Sequence, residues 1–421
     1  MMVIPLANMS STAQSWYSLG PGLNDLVYCI EPHGADAPGL YDIYAGGKFT
    51  NAGGNDDADY IAWWDGINWH AVAPGLNDEV YAIAFADGKV YAGGAFTDAG
   101  GNPNADYIAY WDGIQWNALG DGLNGFVNTI AIDGNQVYVG GKFDSDEDYT
   151  DHIALWDGEK WNSLGNGLNY DVNVITIHDQ VVYAGGWFVN AGGDQNADFI
   201  ARWDGQNWNA IGTGLDGAVI TIEINDNGIY AGGIFSQLVA RWHNGEWKSL
   251  GNGPNTFLGE VIDIAISGHI LYAAAYQDGV LKWDGDEWVN LINWPFLEPA
   301  WTIAIQDKKV YVGGEFFLGP GGTFNIAELK DEDLIGTKVS PEINAPQLKI
   351  YPNPTTDQLS YTLGDIKMAP HQIELTDVTG QVMLSMIQVE NELNLAHLPA
   401  GLYFLKIQFE EGMGMAKVLK Q

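Results

Sequence analysis

Short apolar segments recur at a regular spacing along residues 20–330, and each copy contains a strand that ends in Tyr followed by small residues. In one copy, apolar runs cover Val80–Phe85, Lys89–Phe96, Tyr107–Trp111 and Gln115–Leu119, with Asp-Gly pairs inside the two hairpins. Asp-Gly between apolar runs is typical of a β-hairpin. Periods of this length predict a propeller or a solenoid. Seven tyrosines, separated by 47, 47, 45, 47, 42 and 39 residues, mark the copies: Tyr44, Tyr91, Tyr138, Tyr183, Tyr230, Tyr272 and Tyr311.

Two tryptophans, five residues apart, follow the tyrosine in each of the first six copies. A buried indole removes roughly 150–250 Å² from water, and one four-stranded sheet cannot cover both of its own faces. Packing between neighbouring sheets therefore explains the pairs better than a sugar-stacking platform, which remains the alternative. The pairs are Trp64/Trp69, Trp111/Trp116, Trp156/Trp161, Trp203/Trp208, Trp242/Trp247 and Trp283/Trp288, and the seventh copy has Leu329 and Leu334.

The two ends of the repeat region complement each other. Residues Trp16–Gly20 match the fourth strand of a copy, whereas the seventh copy supplies three strands and ends at Asn325–Lys330. We therefore predict that residues 15–338 form an all-β, seven-bladed β-propeller whose N-terminal strand closes the last blade. Residues 1–14, an apolar run followed by small residues, are expected to be a truncated signal peptide or a leader without a role.

One copy carries a recognisable pattern in the segment Val90–Gly94, then Tyr110, then Trp116. This pattern resembles the kelch repeat, as found in the central domain of galactose oxidase, and residues 20–330 also resemble the propeller repeats of fungal cell-surface polarity markers. Both resemblances imply a propeller. The sixth copy departs from the pattern, because alanines replace the double Gly after Tyr272.

The pattern changes after Pro341: tryptophan disappears, and residues 348–421 contain short alternating strands. Three ordered motifs, Lys349–Pro354, Leu375–Val382 and Leu398–Lys406, precede a final Lys417–Lys420. Together they resemble the C-terminal sorting domain of the Bacteroidota type IX secretion system. Residues 339–347, with two prolines, are the expected linker and cleavage region. The residues that carry the resemblance are Pro352, Asn353, Pro354, Asp377, Gly380, Gly401, Tyr403, Lys417 and Lys420.

The resemblance of the tail implies a small Ig-like β-sandwich and a route of export. Its partners would be the type IX outer-membrane translocon and the C-terminal signal peptidase. The mature protein would then leave the periplasm and be secreted or held on the outer cell surface, for example on lipopolysaccharide. A domain that serves stability alone is the alternative.

The composition of the chain restricts its binding partners, its relation to the membrane and its covalent cross-links. The chain has 54 Asp and Glu against 17 Lys and Arg, a net charge of −37. Nucleic acid and anionic membrane surfaces would be repelled by this charge, so neither is expected as a partner. No apolar run is long enough for a direct membrane span. The single Cys29 excludes an intrachain disulfide and is expected to be a small buried filler.

Familiar catalytic constellations are not found in the repeat. A sialidase-type propeller needs three clustered arginines, whereas this chain has only Arg202 and Arg241. A copper site like that of galactose oxidase needs converging histidines, and the eight histidines show no ligand spacing. We therefore assign no catalytic residue and no cofactor-binding residue, and catalysis is the less favoured interpretation.

The longer connections of the repeat should emerge together on one face, because the tight Asp-Gly turns occupy the other. This long-loop face is the predicted ligand surface. One column of side chains there could ring the axial channel and bind a sugar or ion, or could cap its own turns. Candidate residues are Asn24, Asn77, Asn124, Asn169, Asp216 and Asn255 in the column, with Asp59, Asp106, Asp151 and Asp198 at the loop ends.

The loop between the second and third strands of the third copy contains Asp144, Asp146 and Asp148, whose alternating oxygens resemble the spacing of a calcium loop. Tyr149 stands where such a loop has Gly, so a solvated acidic loop is the alternative. Calcium is the one cofactor considered.

Three functions follow from these observations. The first is a secreted or surface propeller that binds a glycan or a protein through the long-loop face. The second is a polysaccharide lyase or hydrolase with its acid and base on several loops. The third is a calcium-dependent surface-layer or adhesion component.

The sorting assignment predicts the fate of a truncated chain. Deleting residues 342–421 should leave the protein in the periplasm, because the translocon would have no signal to recognise. Immunoblots of periplasmic, surface and medium fractions would measure this, and normal export of the truncated chain would contradict the assignment.

Overall fold

The computed structural model of the protein divides the chain into two compact units, Met1–Leu334 and Ile335–Gln421. In the described residues both are built from β-strands, with three short 3-10 helices at Ala52–Gly54, Ala99–Gly101 and Ala191–Gly193. The predicted all-β class is therefore confirmed. The structure describes residues 16–34, 41–72, 74–144, 152–251, 259–285, 287–291, 299–306, 308–317, 324–330, 348–351, 355–356, 358–363, 372–377, 382–386, 392–409 and 412–420.

The first unit contains seven antiparallel sheets of four strands, which confirms the seven-bladed propeller. Its first fourteen strands are β1 (Trp16–Ser18), β2 (Val27–Gly34), β3 (Tyr41–Gly47), β4 (Ile61–Trp64), β5 (Trp69–Ala71), β6 (Val80–Ala86), β7 (Lys89–Gly94), β8 (Ile108–Trp111), β9 (Trp116–Ala118), β10 (Phe126–Asp133), β11 (Gln136–Lys142), β12 (Ile153–Trp156), β13 (Trp161–Ser163) and β14 (Val172–His178). The other fourteen are β15 (Val181–Gly186), β16 (Ile200–Trp203), β17 (Trp208–Ala210), β18 (Ala218–Asn225), β19 (Gly228–Ile234), β20 (Val239–His243), β21 (Glu246–Ser249), β22 (Val261–Ser267), β23 (Ile270–Ala275), β24 (Gly279–Trp283), β25 (Trp288–Asn290), β26 (Ala300–Gln306), β27 (Lys309–Phe317) and β28 (Phe324–Lys330).

Blades 1 to 6 are the consecutive quartets from β2–β5 to β22–β25, and blade 7 combines both ends of the unit. Its strand order is β1-β28-β27-β26, with Trp16 opposite Leu329 and Ser18 opposite Ala327. The predicted closure by the N-terminal strand is therefore confirmed. Because β1 and β28 are distant in sequence, the ring closes only when the whole unit has formed.

Each blade has a β-bulge at the same place on its first strand, where the register with the second strand shifts by one residue. A bulge leaves one residue without a partner and redirects its side chain. Opposite the bulge of blade 1, a Cβ on Gly46 would lie 2.7 Å from Cys29 Sγ and from Val80 Cγ1 of blade 2. The double Gly therefore lets the inner strand and the next blade approach closely.

An indole hydrogen bond joins each blade to the one before it. In blade 3, Trp161 Nε1 donates to the Leu119 carbonyl at 2.9 Å, and Gly120 follows with a φ of 63° beneath the ring of Trp156. In blade 7 the donor is Trp16, which bonds to the Leu291 carbonyl at 3.4 Å. The other donor–acceptor pairs are Trp69–Leu19, Trp116–Pro74, Trp208–Leu164, Trp247–Ile211 and Trp288–Leu250.

The second unit has a three-stranded sheet, β29-β30-β33, and a four-stranded sheet, β32-β31-β34-β35. Buried Leu359, Leu393 and Leu405 belong to one core that side chains from both sheets form, as in a small sandwich. Its Ig-like strand order stays a prediction. The strands are β29 (Leu348–Tyr351), β30 (Gln358–Leu363), β31 (Gln372–Asp377), β32 (Val382–Met386), β33 (Glu392–Asn394), β34 (Gly401–Phe409) and β35 (Gly412–Lys420).

Two glycines of similar backbone conformation test the contact between blades. Gly120 and Gly134 have φ values of 63° and 57°, but a Cβ on Gly120 would lie 2.8 Å from Trp156 whereas one on Gly134 would meet nothing within 4 Å. We expect Gly134→Ala to cost about 1 kcal/mol through backbone strain alone. Gly120→Ala should cost roughly 1–3 kcal/mol more, since it also overpacks the interface. Urea unfolding measures both, and equal losses would contradict the role of the indole contact.

Candidate functional site

An axial cavity of about 700 Å³ is lined by residues from all seven blades. Its wall includes segments that precede the first strand of a blade, such as Glu79, and segments that follow the second strand, such as Trp187 and Tyr276. The cavity therefore lies toward the long-loop face. All seven bulge residues contribute to it: Tyr28, Tyr81, Asn128, Asn173, Ile220, Ile262 and Trp301.

Five aromatic side chains form a continuous arc of ring contacts on one side of this cavity, and all of them except Phe126 line it. Trp301 meets Tyr28 edge to face at 5.7 Å and Tyr276 at 6.0 Å between ring centroids. Tyr28 meets Tyr81 in the same way at 5.5 Å, and Tyr81 meets Phe126 at 6.4 Å. We call these five residues the aromatic arc.

The other side of the cavity is more polar. Asn128 and Asn173 each donate a side-chain hydrogen bond to the next blade, to the carbonyls of Val172 at 3.1 Å and Val219 at 2.9 Å. Trp187 is 44% exposed beside them. The site thus combines flat aromatic surface with amides held in place by hydrogen bonds.

Asp263 occupies the position after the bulge in blade 6, where other blades have small or β-branched residues. Its carboxylate accepts hydrogen bonds from the Thr221 and Thr302 hydroxyls at 3.1 Å and from the backbone N–H groups of Ile264 and Ile303 at 2.9 Å. Burial raises the pKa of Asp263 to about 6, and these hydrogen bonds limit the rise. The carboxylate therefore links blades 5, 6 and 7 at the axis.

Two more carboxyl groups lie two residues further along their strands, Glu31 in blade 1 and Glu223 in blade 5. Burial, reinforced by the charge of Asp263, raises the pKa of Glu31 to about 7 and that of Glu223 to about 8. Glu31 lines the cavity. Burial and the charges of Glu79, Asp25 and Glu315 raise the pKa of Tyr28 to about 12, which indicates a negative potential near the aromatic arc.

The Asn and Asp side chains of the candidate column make hydrogen bonds to neighbouring loops of the propeller. Asn24, for example, accepts a hydrogen bond from the Thr50 N–H at 2.9 Å, 26 residues further on rather than in its own turn. Asn124 is the exception, since its amide donates to the Asp144 carbonyl. None of these described residues lines the axial cavity. The same contact to the loop after the second strand is made by Asn77, Asn169 and Asp216.

The loop-end aspartates close their own loops. Asp59 accepts from the Asn51 N–H, and Asp106 and Asp198 make the equivalent bond at 2.7 Å. Among the described residues, no three metal-binding side chains come together. The remaining residues of this prediction lie outside the described residues: Asn255, Asp146, Asp148 and Asp151.

The sequence interpretation missed the bulge residues, although a signal for them was present. In each copy one position near the start of strand one varies, being Tyr in blades 1 and 2, Asn in blades 3 and 4, Ile in blades 5 and 6 and Trp in blade 7, inside an otherwise repeated strand. Such variation within a repeated strand indicates a position that the scaffold does not need.

The sorting-signal residues are only partly described. Tyr403 is buried in β34, and its hydroxyl donates to the Pro399 carbonyl at 2.8 Å. Gly401 pairs with buried Lys420 across β34 and β35. Asp377 and Lys417 lie in β31 and β35. Outside the described residues are Pro352, Asn353, Pro354 and Gly380.

Two family models match parts of the chain. Residues 349–421 match the secretion system C-terminal sorting domain, and residues 67–227 match the Rax2 C-terminal beta propeller domain. The tail is therefore a sorting domain, and the protein is exported by the type IX system to the cell surface or the medium. No helix among the described residues is long and apolar enough to cross a membrane. The kelch resemblance stays a prediction.

Solved structures show likeness of fold alone. The extracellular domain of a hybrid two-component system from B. thetaiotaomicron is 13% identical, with a TM-score of 0.52 over 96% of this chain and 52% of that chain. PorZ, a surface component of the type-IX system of Porphyromonas gingivalis, is 12% identical, with a TM-score of 0.43 over 93% of this chain and 59% of that chain. The designed protein Ika8 is 14% identical, with a TM-score of 0.45 over 96% and 99%. The chain thus spans about half the length of the first of these, and no curated protein matches it.

The raised pKa of Glu223 predicts a pH-dependent stability. A carboxyl whose folded pKa lies near 8, above its ordinary 4.5, destabilises the fold increasingly as pH rises through that interval. We expect Glu223→Gln to stabilise the protein by roughly 1–3 kcal/mol at pH 9, since one pKa unit is worth about 1.4 kcal/mol. Near pH 4 the gain should vanish. Thermal unfolding at both pH values measures this.

Asp65 supplies a control of opposite sign. Backbone hydrogen bonds from Asn68 and Ile67 and the contact with His70 lower its pKa to about 2. Asp65→Asn should therefore lower stability at neutral pH, with the loss shrinking as pH falls toward 2. If Glu223→Gln destabilised the protein at pH 9, this would contradict the conclusion that the buried charge of Glu223 destabilises the fold.

Proposed function

We propose that the exported propeller binds an extracellular ligand at the axial cavity of its long-loop face, and that a glycan is the ligand this site fits best. The aromatic arc is the observation that carries the proposal. Sugars present apolar faces that stack on aromatic rings and hydroxyl groups that bond to amides and carboxylates. The arc and the amides of Asn128 and Asn173 offer both kinds of contact at one site. A cavity of about 700 Å³ is in the usual range for such ligands.

The loops around the cavity differ in length, so that its rim is lower at blades 5 and 6 than at blades 1 and 4. The connection between the second and third strands covers residues 48–60 in blade 1 and 187–199 in blade 4. In blades 5 and 6 it covers only 235–238 and 276–278. Tyr276, in the shortest of these connections, is 43% exposed. A chain-like ligand can therefore enter across blades 5 and 6 and reach the aromatic arc.

The enzymatic alternative draws support from Tyr and carboxyl groups near one another, since the Tyr81 hydroxyl donates to Glu79 at 2.8 Å. A Tyr that acts as general base needs a lowered pKa. Here burial raises the pKa of both Tyr28 and Tyr81, and the carboxylate of Glu79 raises each of them further. Binding without catalysis therefore agrees better with the electrostatics of the site.

The calcium-dependent alternative depends on residues 145–151, which are outside the described residues. Asp144, at the edge of that loop, uses its carbonyl to accept from Asn124. No described observation favours this function over ligand binding.

Replacing aromatic residues at the cavity should weaken glycan binding. We expect Trp187→Ala and Tyr276→Ala each to lower affinity by about tenfold, because an exposed stacking surface is removed. Tyr17→Ala is the matched control, since Tyr17 is 50% exposed on the outer strand β1, away from the axis. A glycan array followed by calorimetry on the best ligand measures the affinities.

Two outcomes would oppose the proposal. Binding that survives both cavity substitutions would place the site elsewhere on the propeller. Release of shortened products during incubation with the polysaccharide would favour the enzymatic alternative.

A further inference from the structure

We infer that the axial cavity selects a glycan that bears free amino groups, with the ammonium held among the carboxylates and the faces of the aromatic arc. This inference rests on the proposed function and adds the chemical class of the ligand. Three observations of the described residues support it: the charge of the lining, the hydrogen-bonding capacity that this lining leaves unused, and the lack of a described Lys or Arg over the rings of the arc.

The described lining of the cavity is acidic, and its negative charges are not balanced by basic residues of the lining. It includes Glu31, Glu79, Glu260 and Asp263, and among the described lining residues there is no Lys, Arg or His. A concave site of one charge sign concentrates counter-ions of the other sign. Uronic acids, sulfated sugars and phosphorylated sugars would be repelled from it. An aminated sugar would be attracted.

The carboxylates differ in how far their acceptor capacity is used. Asp263 accepts four hydrogen bonds and serves the scaffold. Glu31 is largely buried and, in the described part of the chain, accepts none, and Glu79 accepts one from Tyr81. An ammonium group carries three donors and no acceptor. Ammonium groups of an aminated glycan can therefore donate to Glu31 and to Glu79, each of which has unused acceptor capacity among the described contacts.

The aromatic arc also has room for a cation. Elsewhere in this propeller, tyrosine faces are covered by protein cations: Lys89 lies 4.5 Å from the ring centroid of Tyr110, and Arg241 lies 5.5 Å from that of Tyr230. No described Lys or Arg covers Tyr28 or Trp301. Tyr and Trp faces attract cations within about 6 Å. Among the described residues, the arc is therefore left without a protein cation, and it lines the cavity together with the carboxylates.

A glycan agrees with the site better than the lysine side chain of a protein. A single alkylammonium would use the carboxylates and one or two rings, but it would leave Trp187 and Tyr276 bare at the opening. These two side chains are 44% and 43% exposed. Successive sugar rings can stack on them while an amino group reaches the carboxylates.

The test compares two oligosaccharides of equal length, a glucosamine hexamer and an N-acetylglucosamine hexamer, by calorimetry at pH 7 on the full chain. We expect the aminated hexamer to bind about tenfold more tightly, with an affinity that falls as salt rises. Glu31→Gln combined with Glu79→Gln should remove this preference. Glu246→Gln is the matched control, because Glu246 lies on outer strand β21 beside Lys248 and should leave the preference intact.

The outcomes separate this inference from the proposed function. Equal binding of both hexamers, lost in Trp187→Ala, would keep glycan binding and overturn the amine preference. Binding of a lysine-rich peptide but neither hexamer would overturn the glycan class. Binding of no glycan on a broad array would overturn both proposals. Thermal unfolding of every variant checks that the propeller remains folded.

Discussion

The propeller depends on the contact between an indole and the end of the preceding blade. A four-stranded sheet that is apolar on both faces gains a dry interior only against its neighbours. The second Trp of a blade donates its N–H to a carbonyl just past the fourth strand of the blade before it, as Trp161 does to Leu119. In five of the blades the first Trp, such as Trp156, also lies against the Gly after that carbonyl. One contact therefore combines large apolar burial with a directed hydrogen bond, which fixes the angle between blades.

The same contact explains how the ring closes. The seventh copy has Leu329 where the first Trp of a pair stands, and β1 brings Trp16 opposite it from the other end of the unit. Trp16 then bonds to blade 6, while Leu19 accepts from Trp69 of blade 1. Two residues near the start of the described chain thus complete two interfaces. Because closure needs this distant pairing, no partial ring has all its interfaces satisfied.

At the axis, stability and binding make opposite demands. Small residues next to the bulges would give a tight, neutral centre, yet Glu31, Glu223 and Asp263 occupy it with pKa values raised by burial. Asp263 is satisfied by four hydrogen bonds from three blades, whereas Glu31 faces the cavity. Unpaired acidic groups near an axis reduce stability. Their presence is understandable if a cationic ligand supplies the missing charge.

The sequence by itself determined the blades, their number, the closing strand and the sorting domain. Each rests on local chemistry repeated in order: apolar alternation, Asp-Gly turns, paired tryptophans and the motifs of residues 349–421. It did not locate the cavity. Asn24 and Asp59 bear the side chains expected of a site, yet they bond to loops, because nearby N–H groups lie within reach. Tyr28, Tyr81 and Trp301 are distant in sequence, and the bulges and the closing of the ring bring them together. Only the tertiary structure decides which variable residues meet at the axis, since their proximity comes from the circular order of the blades and not from any local pattern.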